Sequence, residues 1–138
     1  MKGTIAILIL IALAIVFFKC DDSARAERQK TQGQDSELAL LMRQMHVDAK
    51  EIKEEIINDN SLSDYNLNND FLLDATPTKS NVKGVKFESM ARYYLQKSDS
   101  LYHNPTKGSY NQMVESCIVC HQAFCPGPVK TIKKLKIN

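Results

Sequence analysis

Apolar positions recur with a helical period along three stretches of the chain. Leu38, Met42, Met45, Ala49, Ile52 and Ile56 follow at spacings of 4, 3, 4, 3 and 4 residues, which draws one apolar stripe down a helix. Asp35 or Ser36 can cap its start, and Asn58-Asp59-Asn60 ends it. Phe87, Ala91, Tyr94, Ser98 and Leu101 repeat at 4, 3, 4 and 3, so a second helix is predicted over about 84–102. Asn104-Pro105 restarts the chain, with Asn as cap and Pro at the first helical position. The third long helix carries Tyr110, Met113, Val114, Cys117, Cys120, His121 and Phe124, until Cys125-Pro126-Gly127-Pro128 stops it. Residues 61–74 form a weaker pattern, a short helix with Leu67, Phe71 and Asp74 on one side, broken by Ala75-Thr76-Pro77-Thr78. Val129 to Leu135 turns once more, with Ile132 and Leu135 packed down. No stretch sustains a two-residue alternation. A lone amphipathic helix is marginal in water, so these stripes need one another. Three good helices, one poor one and short connections predict an all-α protein, an antiparallel four-helix bundle.

The first twenty residues are different. Met1-Lys2-Gly3 precedes Thr4 and an unbroken apolar run, Ile5 to Phe18. That is the shape of a secretory signal, and short for a membrane span, which needs about 20 residues. Cys20 follows, the arrangement of a lipoprotein acylated at that Cys, although Phe17-Phe18-Lys19 departs from the small residues such processing prefers. Ala24-Arg25-Ala26 offers another cut, and an uncleaved anchor is the third reading. All three carry the rest of the chain out of the cytoplasm. Residues 21–34 are almost without apolar content and read as a flexible tether, which leaves 35–138 as the domain.

Composition narrows the class. The 138 residues are 43% hydrophobic and 25% charged, with 5 Gly, 4 Pro and no Trp, which excludes collagen-like, low-complexity and polytopic membrane proteins. Without residues 1–20 the balance is 16 basic against 16 acidic side chains, so no nucleic-acid partner is expected. The charge is uneven. Beyond His103 a single acid, Glu115, faces Lys107, Lys130, Lys133, Lys134 and Lys136, either a solvated tail or a docking face for an acidic partner.

Cys117-Ile118-Val119-Cys120-His121 carries the chemistry. It is the C-x-x-C-H signature of covalent c-type haem attachment. Two thiols at this spacing can add to the two vinyl groups on one porphyrin edge, and the adjacent imidazole then serves as proximal iron ligand. A shuffled chain of this composition gives the string about once in 400. A C-x-x-C redox pair would want a βαβ context that is not visible. A zinc site of Cys117, Cys120, His121 and Cys125 would crowd four ligands onto one helix and its end. A Cys117–Cys120 disulfide would be strained within a helix. Export favours haem.

The string Cys117 to Phe124, CIVCHQAF, near the C-terminus and inside a helix, resembles the C-x-x-C-H-x-x-[FY] of class II c-type cytochromes, the cytochrome c-prime family of four-helix bundles. The resemblance covers about residues 35–127. Where that family usually carries a basic residue next, this chain has Cys125. The weak second helix and the Cys125-Pro126-Gly127-Pro128 exit also depart from the family pattern. The resemblance implies one haem c on the C-terminal helix, bound through Cys117 and Cys120, with His121 on the iron. It also implies a sixth position filled from the first helix. Members with Met there carry electrons, and members with an apolar residue are five-coordinate and bind nitric oxide or carbon monoxide. This chain reads Leu40-Leu41-Met42-Arg43-Gln44-Met45-His46, so Met42 is the expected distal ligand and Met45 the alternative. An open site, or His46 as a second imidazole, would change that. The expectation is a membrane-tethered, periplasmic electron carrier rather than an enzyme, with an acidic redox partner and a homodimer as the further association such relatives show. The rivals are a gas-binding protein, a peroxidase using His46 as its distal acid/base group, and a zinc-binding module.

Other residues have expected places. Met90 and Met113 read as packing, His103 as a surface residue, and Cys125 as a buried free thiol, with a redox role, a bond to another chain or a disulfide to Cys20 as alternatives. Tyr93, Tyr94, Tyr102 and Tyr110 can bury rings around a porphyrin, while Arg43 and Arg92 either meet its propionates or face solvent.

Overall fold

The first helix, α1 (Glu37–Ile57), begins where its cap predicts: Ser36 Oγ accepts the Ala39 N–H at 3.2 Å. The computed structural model describes residues 35–138 apart from Asp64, Asn66 and Asn68, with only the backbone of Asp70. The expected leader, Cys20, the 24–26 cut and the 21–34 tether lie outside the described residues. Ser36–Asn138 forms one unit. The start of α1 is stitched to residues 76–78. Leu38 N–H donates to Thr76 O at 3.0 Å, Glu37 Oε2 accepts the Thr76 N–H at 3.0 Å, and Ser36 Oγ lies 2.9 Å from Thr78 Oγ1. The backbone hydrogen bond from Thr76 holds the Glu37 carboxyl below its usual value. The helix ends with Asn58 donating to Glu54 O, and Asp59 then takes a left-handed φ of 55°.

Two further long helices follow, α2 (Val85–His103) and α3 (Lys107–Phe124), and then a single short one, α4 (Val129–Lys133). The described residues are helical throughout their regular structure, with no strand. Asn104 closes α2 rather than opening α3, since its N–H donates to Ser100 O. The cap of α3 is Thr106, whose Oγ1 accepts the Ser109 N–H at 3.1 Å while Ser109 Oγ accepts the Thr106 N–H at 3.0 Å. Two hydroxyls satisfy two donors reciprocally, a better start than Pro105 can give.

The helix expected over 61–74 does not form. Among the described residues there, only Asp70–Leu72 makes a one-turn 3-10 helix. Leu62, Leu67 and Leu72 are buried at intervals of five, a period that one helical face cannot satisfy. Phe71, expected inward beside Leu67, is 53% exposed. The loop is held by polar bonds instead. Ser98 Oγ donates to Leu67 O at 3.0 Å, and Asn69 Nδ2 donates to the Tyr94 hydroxyl at 3.3 Å.

The core gathers the three apolar stripes, with Ile52, Leu101, Tyr110 and Val114 among its most buried side chains. Burying each such aliphatic side chain is worth about 1.5–3 kcal/mol. Helix α3 packs against α1, α2 and α4. The Tyr110 hydroxyl donates to Ala49 O at 2.8 Å and so joins α3 to the middle of α1. After α4 the chain returns along α3. Asn111 Nδ2 donates to Ile137 O at 2.8 Å, and Asn111 Oδ1 accepts the Ile137 N–H at 2.9 Å. Lys53 Nζ reaches from α1 to Lys134 O and Lys136 O at 3.2 and 3.1 Å, and Lys136 pairs with Glu115. Ile132 and Leu135 are buried as predicted. The basic end is a strap across α1 and α3, not a loose tail. Among the described residues no helix is long and apolar enough to cross a membrane.

Candidate functional site

Cys117, Cys120 and His121 stand at i, i+3 and i+4 on the last turns of α3, which turns all three to one side of the helix. They open onto a narrow apolar cleft of about 30 Å³. Met42 and Met45 of α1 line it, with Phe87, Met90, Ala91 and Tyr94 of α2, Leu72 of the loop, and Ser116. No charged side chain is among them. The motif and both methionines proposed from the sequence therefore meet in one place.

The environment keeps these groups neutral. Burial, helped by the neighbouring Cys120, pushes the Cys117 thiol up to about 12. Burial, helped by Cys125, pushes Cys120 up to about 11. Both are protonated at neutral pH, and so are weak nucleophiles until something activates them. Burial lowers the His121 pKa, and a hydrogen bond with the Cys125 backbone opposes that in part. A neutral imidazole is the form that ligates a metal. Its Nδ1 lies 3.3 Å from Cys125 Sγ and 3.4 Å from Cys125 O, which leaves Nε2 as the ligating nitrogen. The end of α3 is pinned to the start of α2 by an edge-on contact of Phe124 with Phe87, ring centres 5.8 Å apart.

A haem matches this donor set: two thiols for its vinyl edge, a neutral imidazole, soft thioethers opposite, and apolar walls. The cleft is far narrower than a macrocycle, and its methionines are the side chains that repack most readily, being unbranched and polarisable.

The other candidate residues take the following places. Met90, read as packing, is on the cleft, while Met113 is 2% exposed in the core. Phe87, Met90, Ala91 and Tyr94 fall at i, i+3, i+4 and i+7, a pattern that could have placed Met90. Leu72 had no such signal, because its loop follows no period. Cys125 is exposed rather than buried, since the chain turns outward at Pro126. Among the described residues no three His, Cys, Asp or Glu side chains converge to hold a metal ion, so the four-ligand zinc arrangement does not assemble. His46 lines a different groove, with Lys50, Lys53, Glu54 and Lys134, away from the cleft. His103 is at the surface beside Asp99. Tyr94 and Tyr110 are buried, with burial raising both hydroxyls well above their usual range, whereas Tyr93 and Tyr102 are about half exposed. Arg92 pairs with Glu88 at 2.8 Å on the surface, and Arg43 is exposed. Comparison with known proteins finds no match: no family model, no curated protein and no solved structure is similar to the chain.

Proposed function

We propose that this chain is an exported monohaem c-type cytochrome that carries electrons, an antiparallel four-helix bundle with its haem on the C-terminal long helix, tethered to the membrane through its N-terminal segment. The observation that carries the reading is the meeting of Cys117, Cys120 and His121 with Met42 and Met45 around one uncharged cleft. When bound, the haem iron supplies a one-electron change of state.

The chain's residues do the rest. Cys117 and Cys120 fix the group covalently, so it cannot dissociate between partners. His121 and Met42, with Met45 as the alternative, are the residues that would hold the iron, a neutral imidazole and a thioether that would suit both of its redox states. The thioether of Met favours the reduced metal and raises the potential. Phe87, Ala91 and Leu72 line the cleft with apolar surface, which disfavours water there. Lys130, Lys133 and Lys134 on α4 and its exit present positive charge for an acidic redox partner.

Haem-stained denaturing electrophoresis with a reduced-minus-oxidised spectrum tests the reading. The expected result is a stained band at the chain's own mass and a sharp low-spin α band. An unstained protein, made in cells able to attach haem, overturns it. Uptake of carbon monoxide without prior loss of a ligand would replace His/Met ligation with the five-coordinate, gas-binding alternative.

A further inference from the structure

Cys125 places an exposed thiol against the imidazole of His121. It is the C-cap of α3, and its N–H donates to His121 O at 2.9 Å, which fixes it one turn beyond that ring. Pro126 follows and restrains the Cys125 backbone to extended values, here φ −154° and ψ 78°. Its Sγ then lies 3.3 Å from His121 Nδ1, and its carbonyl oxygen 3.4 Å. Both atoms lie within hydrogen-bonding reach of Nδ1, and the sulfur, with its larger radius, makes the closer contact. An imidazole that ligates through Nε2 carries its proton on Nδ1. Nδ1 is then the donor, and Sγ an acceptor.

We infer that Cys125 is a positioning residue that lowers the reduction potential of the centre by accepting a hydrogen bond from His121 Nδ1 through its sulfur. The inference rests on the haem reading above. An acceptor at Nδ1 makes the imidazole a stronger donor to the metal, and so favours the oxidised, more positive iron. With a haem bound, Cys125 would act on the potential against the sense of a Met thioether ligand.

The test is a spectroelectrochemical titration of the haem-loaded protein beside Cys125→Ala and Cys125→Ser. At a fixed applied potential, Cys125→Ala raises the reduced-to-oxidised ratio about fivefold, the worth of one ordinary hydrogen bond. Cys125→Ser, which keeps a side-chain acceptor, stays within about twofold of the original. Should Cys125→Ala fail to take up haem, Cys125→Val, which also lacks a side-chain acceptor, gives the same readout. A rise in the ratio in either variant supports the contact. An unchanged ratio in the loaded variant overturns the inference and leaves the haem reading standing. A protein with no covalent haem overturns the haem reading itself.

Discussion

The wall of the cleft supplied by α3 is held from three sides, whereas the wall supplied by α1 is held away from its methionines. On α3, the reciprocal Thr106–Ser109 cap fixes the start, Tyr110 bonds across to Ala49, and the Phe124–Phe87 contact with the Cys125 turn fixes the end. On α1, the bonds to Thr76 and Thr78 lie before Met42, and those from Ala49 and Lys53 lie after Met45. Between them Met42 and Met45 are partly buried and touch their neighbours through dispersion alone. A rigid wall suits groups that must meet fixed carbons. An adaptable wall suits a ligand that must adjust to whatever the rigid side holds.

That contrast can be broken at either wall. Cys117→Ala with Cys120→Ala is expected to abolish haem staining on a denaturing gel completely, while His121→Ala keeps the stain and loses the low-spin band. Met42→Ala is expected to convert a low-spin spectrum to high-spin with the stain intact, and Met45→Ala or Met90→Ala to leave the spectrum low-spin. Should Met45→Ala make the conversion instead, the ligand is one turn further along α1. Tyr110→Phe removes a buried hydrogen bond between the walls, and the midpoint of guanidinium denaturation should report a loss of about 1 kcal/mol.

The thiols sharpen the comparison in the haem-free chain. Cys125 is exposed and should react with iodoacetamide before Cys120, and Cys120 before Cys117, read by peptide mass spectrometry. The pH dependence has a fixed sign. The native Cys117 thiol keeps its proton up to about 12, whereas an unfolded chain gives it up near 8.5. The native state therefore binds more protons above about pH 9, and the stability of the haem-free chain falls as pH rises from there towards 12. Thermal melts from pH 7 to 11 check this; a stability that rises over that interval contradicts it. The smallest effect is at the surface. Lys136→Ala breaks its pair with Glu115 and should change stability by less than about 1 kcal/mol.

What the sequence made legible follows from the kind of signal each part leaves. The stripes Leu38 to Ile56 and Phe87 to Leu101 set α1 and α2 because burial on one side of a helix imposes a period. The motif brings three residues to one cleft because its members are adjacent in the chain and share one side of a helix. The loop before α2 leaves no helical signal because Leu62, Leu67 and Leu72 enter the core one at a time at intervals of five, Leu67 with its carbonyl held by Ser98. Asn69 turns its side-chain amide to the Tyr94 hydroxyl and Leu67 O, a polar contact that the apolar pattern hid. The exposure of Cys125 depends on how Pro126 turns the chain, which its spacing from His121 does not encode.

The return strap of residues 134–138 has a consequence for biosynthesis. Synthesis makes a chain amino end first, so α1, α2 and α3 emerge before Asn111 can meet Ile137 or Lys53 can reach Lys136. Until those bonds close, the face of α3 that bears Asn111 and Glu115 stays uncovered, so the last residues of the chain are the ones that complete the fold.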